Sequence, residues 1–289
     1  MNYARLQNDV QEIKAAIEEA ITTNAYRGRK FGDGVDAKNA LIRSSTLIMR
    51  IHETAKMGLA DALSRAGIDH TVQPPIAQNS PELDVWGLLK KKTQDIVLLS
   101  AKHQPRAELI KDGPLSGEYD LLGKDATANA IVVGVRSQLS SVDKNFDTLM
   151  ERAFAETTNL RMRHPDLVMG EVYMLAVREY DDKAMRANQV RWKPGFTNVP
   201  RFITLFNAMS GRKEPTDLSE TYKYERSALV LVDFSTNPVT VFRSQEDLIS
   251  AGVLNRAARC DYSNLTPESF SDGIVESYLL RHNITRPAR

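Results

Sequence analysis

The run 130–138, Ala-Ile-Val-Val-Gly-Val-Arg-Ser-Gln, constrains this chain more than any other stretch. Its first six residues carry no polar side chain, so a strand there must be covered on both faces. Arg136, Ser137 and Gln138 then arrive together. The next segment, 141–162, has helical spacing, with Val142, Phe146, Leu149, Ala153, Phe154 and Leu160 on one side. A buried strand that ends in polar groups and feeds a helix is a common way to build a site at the strand's carboxyl end.

The rest of the chain supplies partners for that strand. Residues 4–22 predict an amphipathic helix through Leu6, Val10, Ile13, Ile17 and Ala20, either covering the core or pairing two copies. The loop 26–34 holds three cations among three glycines, a solvated linker or a phosphate contact. A second helical pattern covers 37–67, with Glu53 at the edge of its apolar face. Three prolines make 71–81 an extended connection. Residues 83–89 and 94–100 predict two strands joined by a hairpin with Lys90, Lys91 and Lys92 at its tip, and Asp95 opens the second strand. A turn-rich excursion with a short helix fills 101–129. Apolar strands are expected at 168–177 and 228–234 and a shorter one at 239–242; a short helix is expected near 202–209, and Ser244 and Asp247 mark another helix start.

Strands in a row followed by a crossover helix predict an α/β fold, a mixed central sheet flanked by helices. The 289 residues are expected to form a single unit: an N-terminal helix and basic loop at 1–36, a core at 37–177 and a C-terminal part at 178–289. Apolar content of 42 % and charged content of 26 % suit a globular chain. A formal net charge of +1 means any nucleic-acid site must come from local clustering of cations. The single cysteine, Cys260, and five histidines without i, i+4 spacing exclude thiolate and paired-histidine zinc sites. No stretch approaches 18 apolar residues and the polar N-terminus has no signal core, so a cytoplasmic, membrane-free protein is expected.

The order helix, three strands, helix, strand resembles the core of the PD-(D/E)xK nucleases. Gln94-Asp95-Ile-Val-Leu-Leu matches the hairpin strand that begins with a metal-binding Asp. The run 131–138, followed by Ser-Val-Asp-Lys-Asn-Phe-Asp-Thr-Leu-Met-Glu-Arg-Ala at 141–153, is similar to the third strand and helix of certain type II restriction endonucleases. The resemblance covers about residues 40–177. It implies a restriction-endonuclease-like core, Mg2+ as cofactor, phosphodiester hydrolysis, double-stranded DNA as partner, and a homodimer to match a palindromic site. Asp95 would bind the metal, Arg136 would contact the scissile phosphate, and Gln138 would orient it or a water.

Two positions depart from the family's pattern. Gly134 stands where a Glu or Asp is usual, and Arg136 where a Lys is usual. Arginine stabilises charge but is a poor proton acceptor. Glu53 is taken as the second catalytic and metal-binding acid, with Glu151 and Asp84 as other sources. The alternatives are a catalytically inactive DNA-binding protein with a degenerate nuclease core, and an ordinary buried strand outside any nuclease. For base and phosphate contacts, 186–193 offers Arg186, Asn188, Gln189, Arg191 and Lys193, the residue types that read base edges in the major groove.

Overall fold

The computed structural model describes residues 1–285. Helix α1 (Tyr3–Thr23) is capped by the Asn2 side chain, which accepts from Arg5 N–H. Leu6, Val10, Ile13 and Ile17 fall in one stripe and have no exposed surface. Each such burial stabilises the fold by roughly 1.5–3 kcal/mol. That stripe is used up inside this chain, so α1 covers the core and offers no apolar face to a second copy. A small hairpin, β1 (Ala25–Tyr26) with β2 (Arg29–Lys30), follows. There Lys30 donates to Thr23 O and Arg27 to the Thr46 hydroxyl, so two of the loop's three cations are engaged locally.

The helix expected over 37–67 is two helices, α2 (Gly34–Arg43) and α3 (Ile48–Arg65). The break falls on Ser44, Ser45 and Thr46. The Ser44 hydroxyl donates to Leu41 O at 2.6 Å, and Ser45 takes a φ of 62°. Hydroxyl side chains that bond the nearby backbone compete with helix in this way. The break turns Ser45, Ile48, Met49 and His52 toward a cleft.

Within the expected extended connection, β3 (His70–Gln73) forms and stops where Pro74 removes the next N–H donor. The hairpin also differs from expectation. β4 (Leu83–Trp86) pairs with β5 (Lys91–Gln94), and β6 (Ile96–Ser100) starts only after Asp95. Lys91 and Lys92 thus belong to a strand, and Asp95 is the joint between two strands. The cause is local: Asp95 Oδ2 accepts the Val135 N–H at 2.7 Å and takes the place of a backbone ladder bond. The excursion at 101–129 contains β7 (Glu108–Leu109), β8 (Tyr119–Asp120) and α4 (Gly123–Ala128).

Next come β9 (Ile131–Gln138), α5 (Phe146–Arg161), β10 (Val168–Ala176), α6 (Asp182–Arg186) and α7 (Val199–Ala208). β11 (Arg226–Asp233), β12 (Thr240–Val241), α8 (Gln245–Ser250) and α9 (Pro267–Arg281) complete the chain. Ser244 and Asp247 form the reciprocal cap of α8 that their spacing predicts. α9 has no sequence forecast: Ser271 shares its packed side with Phe270, Ile274 and Tyr278 and blurs the apolar period.

Six strands form one mixed sheet in the order β12-β11-β10-β9-β6-β3. β9, β10 and β11 run parallel, and the remaining pairings are antiparallel. Helices flank this sheet, as expected. Ile131, Val133, Val135, Val172, Met174 and Val230 pack in one cluster with residues of α1, α3 and α9. The alternate residues face the other way, Tyr173, Leu175, Leu229 and Leu231 toward α5 and α7 and Val97, Val132 and Met169 toward α5. Phe154, expected among the packed residues of α5, is instead 51 % exposed and stacks on Tyr222 at 5.3 Å. Among the described residues no helix is long and apolar enough to cross a membrane.

Candidate functional site

Three adjacent strands bring together residues that are far apart in sequence. β6 and β9 pair antiparallel with Ile96 opposite Val133, so Asp95, one step back, meets Gly134. β9 and β10 pair in parallel with Gly134 opposite Glu171. Asp95, Gly134 and Glu171 therefore form one row across the sheet, on the face turned to α5. Gly134 is the low point of that row. A Cβ built there would lie 2.3 Å from Glu171 Oε2, so the Glu171 carboxylate rests over the glycine. An acid from the neighbouring strand thus covers the sheet surface at position 134.

Two cations and a third acid close over this row. Arg136 Nη1 is 3.2 Å from Glu171 Oε1, and Arg136 Nη2 is 2.5 Å from Glu156 Oε2 on α5. Lys92 Nζ, from β5, reaches the same Glu156 oxygen at 3.1 Å. The β4–β5 turn that leads into the strand of Lys92 is pinned to α5: Leu88 N–H donates to Asn159 O and Leu89 N–H to Asn159 Oδ1, both at 2.8 Å. On the other side His52 Nε2 meets Val135 O at 3.2 Å. A cleft of about 570 Å3 opens here, lined by His52, Glu82, Lys92, Asp95, Arg136, Gln138, Arg152 and Glu156 among others.

Burial sets the charge states. Glu171 is 1 % exposed. Loss of water pushes its carboxyl up to about 7, because Arg136 only partly offsets the desolvation and Glu156 and Asp95 add to the rise. Its Oε1 makes no well-aligned hydrogen bond, despite the nearby guanidinium. Burial pushes the His52 imidazolium down against the pull of Asp95, which favours the neutral ring. Glu171 and Glu156 together hold the Arg136 guanidinium far above its ordinary range, so it stays charged.

The expected site residues divide into two groups. Asp95, Arg136 and Gln138 meet at the cleft. Arg136, expected on the scissile phosphate, has its terminal nitrogens engaged by two carboxylates; the Gln138 amide donates to Ser140 O. Glu53 does not join them. It lies on α3, which covers the opposite sheet face, where it accepts Ala77 N–H at 2.8 Å and pairs with Lys56 at 2.7 Å. Asp84 is held by Lys91 and the Thr93 hydroxyl, and Glu151 is exposed on α5. Arg186, Asn188, Gln189, Arg191 and Lys193 sit beyond the carboxyl end of β10 and do not line the cleft. Arg186, Gln189 and Arg191 are exposed. Lys193 pairs with Glu179 and Asp182, and Glu179 also accepts Val142 N–H, tying this segment to the turn after β9.

Glu156 and Glu171 escape a reading by motif, yet each leaves a trace. Glu156 falls seven residues after Leu149 and four before Leu160, inside the packed stripe of α5, where a carboxylate must be paired. Glu171 is the single charge in a strand buried along its whole length.

The donor chemistry fits a hard divalent cation. Asp95 and Glu171 offer carboxylate oxygens, one of them buried without a well-aligned partner. Among the described residues no three His, Cys, Asp or Glu side chains gather into a cation cage. Mg2+ is usually held by only one or two carboxylates and completes its shell with water. No family model matches this chain, and no curated protein or solved structure matches it.

Proposed function

We propose that this chain is a Mg2+-dependent endonuclease that cleaves double-stranded DNA at a defined sequence, with a restriction-endonuclease-like core of the PD-(D/E)xK kind. The observation that carries this reading is the row Asp95–Gly134–Glu171, two acids flanking a glycine, which meets at Asp95 a cleft also lined by Lys92, Arg136 and Arg152. In this reading Asp95 and Glu171 hold the cation, and Glu171 replaces Glu53 as the second acid. A bound Mg2+ would activate water and offset the charge that builds on phosphorus oxygens. Asp95 is oriented for this by the Val135 N–H, which fixes one carboxylate oxygen and leaves the other free. Arg136, held charged, supplies positive potential beside the scissile phosphate. The exposed cations at 186–191 extend that potential along the duplex, and a homodimer would present two such clefts to a palindrome.

A second reading has its own observation. Arg136 bridges Glu171 and Glu156, so a guanidinium already satisfies the acid that a metal would use. A nuclease core that has lost catalysis and kept DNA binding would look like this. The two separate in one experiment: purified chain with Mg2+ on supercoiled plasmid of mixed sequence at low salt, beside Asp95→Asn. Discrete fragments from the parent and none from the variant support the nuclease. Retention of duplex DNA in a gel with no cleavage by either supports the binding module. Absence of both retention and cleavage removes both.

A further inference from the structure

We propose that the β1–β2 hairpin grips the duplex: it is a basic ribbon on the rim of the cleft that lies against the DNA backbone beside the bound site. This rests on the DNA-binding part of the reading above and holds for an active or an inactive core.

The turn of the hairpin carries the first sign. Tyr26 pairs with Arg29, so Arg27 and Gly28 form a two-residue loop, and both have positive φ, 49° and 74°. Asn, Asp or Gly commonly stands first in such a loop, because each tolerates the left-handed backbone. Here an arginine stands there, held by a bond from Arg27 Nη2 to the Thr46 hydroxyl at 3.0 Å. The stem is fixed as well. Tyr26 Oη meets the hydroxyls of Ser44 at 2.8 Å and Thr46 at 3.0 Å, and Phe31 N–H donates to Asn24 O at 2.9 Å. Tyr26 and Phe31 are half-buried against the core, whereas Arg27, Gly28, Arg29 and Lys30 are exposed. A braced stem thus presents three cations to solvent.

No acid balances them. Neither Asp nor Glu occurs between Glu19 and Asp33. Arg27 and Lys30 donate to hydroxyl, amide and carbonyl oxygens, all neutral, so their charge is kept. The Arg29 guanidinium lies over the Phe31 ring at 5.1 Å. Arg43, exposed in the last turn of α2, adds a fourth cation. Among the described residues none of these four forms a salt bridge. The chain as a whole is nearly neutral at +1, so this is a local segregation of charge that suits a polyanion.

The rim is that of the cleft. Ser44 and Thr46, which hold the hairpin, flank Ser45, and Ser45 lines the cleft together with Ile42 and Ile48. Thr148 and Arg152 line it from the α5 side. A duplex with a phosphate beside Asp95 therefore passes the hairpin on the side of the α2–α3 break. The major groove, about 12 Å wide, admits a two-stranded ribbon and has phosphates along both walls.

The test uses the full chain and a fluorescent duplex of mixed sequence, with EDTA present so that binding is read without cleavage. The triple variant Arg27→Gln/Arg29→Gln/Arg43→Gln should bind about tenfold more weakly or worse at low salt, with a slope of log K against log salt shallower by about 2–3. The corresponding triple Lys variant, which keeps the charges, should retain most of the parent's slope. Arg29→Gln alone removes no hydrogen bond; it should keep the parent's urea midpoint and lower the slope by about 1. For location, Arg29→Cys in a Cys260→Ser background, labelled with an azidophenacyl photo-crosslinker, should attach to the duplex. Glu276→Cys, exposed on α9, should not. A folded Arg29→Gln with the parent's affinity and slope, or a label at 29 that attaches no better than one at 276, overturns the hairpin's role and leaves the DNA reading standing. A parent chain that does not bind the duplex overturns both.

Discussion

Glu171 stands directly across the β9–β10 ladder from Gly134, and its Oε2 occupies the space that a Cβ on Gly134 would need, 2.3 Å away. The two positions are one site shared between neighbouring strands, and exchanging their contents tests this. Gly134→Ala should displace the carboxylate and cost about 1–3 kcal/mol of stability through overpacking. It should also abolish cleavage. The double change Gly134→Glu with Glu171→Gly returns the acid to β9, relieves the clash, and should recover measurable cleavage relative to either single change. Plasmid digestion and urea unfolding of the three variants check this.

The segment beyond β10 should contribute through phosphate contacts. Arg186 and Arg191 are exposed and free to meet a duplex. Replacing either with Ala should weaken DNA binding across sequences and lower the slope of log K against log salt by about 1. Lys193 is already paired with Glu179 and Asp182, so Lys193→Ala should change the slope less. Fluorescence anisotropy over a salt series reads all three.

Away from the cleft, one buried carboxylate serves three arginines. Glu225 accepts from Arg161 and from the Met169 N–H, and it pairs with Arg281 at 3.0 Å and Arg212 at 3.5 Å. Burial lowers the Arg161 guanidinium to about 10 in spite of Glu225, a sign of how little water reaches it. Glu225→Gln removes the charge that compensates the cluster and should destabilise the chain by about 3–5 kcal/mol. The measurement is the urea midpoint, compared with Glu151→Gln on the exposed side of α5 as a neutral control.

His164 gives a prediction about acid. Its Nε2 meets Trp86 O at 2.9 Å in a buried setting, and burial lowers it to about 4. The folded value lies below the unfolded one near 6.5, so its stabilising contribution is complete above that value. It is lost as pH falls toward 4, to a limit of about 3 kcal/mol. Glu171 has the opposite sign: its folded value of about 7 exceeds the unfolded 4.5, so its contribution is full below 4.5 and lost as pH rises through 7. The two partly cancel in the parent chain. His164→Gln should leave a stability that falls less steeply than the parent's as the solution is acidified, read from urea unfolding across that range.

Much of the frame is legible in the residues themselves. The runs that become β9, β10 and β11 have few other ways to hide so many apolar side chains, and Ser244 with Asp247 marks the start of α8 without tertiary help. Asp95, Arg136 and Gln138 meet because strand order alone brings them together. Glu171 is a different case. Its isolation in an apolar strand marks it as unusual, but only the parallel register with β9 lays it over Gly134, and register is a property of the folded sheet. Glu53 misleads for a similar reason. Its place at the edge of an apolar stripe is real, yet the break at Ser44 to Thr46 divides the helix, and α3 settles on the far face of the sheet.

The β9–β10 register also acts as a ruler. Adjacent strands are spaced at about 4.8 Å, so two acids with one strand between them stand about 10 Å apart at their Cα atoms. Backbone hydrogen bonds hold that separation, and repacking the core leaves it almost unchanged. The only adjustable quantity is the reach of the side chain over the intervening glycine. Glutamate's extra methylene carries its carboxylate over Gly134. An aspartate at 171 would keep the burial and stop one carbon short of the space over Gly134 that Glu171 fills.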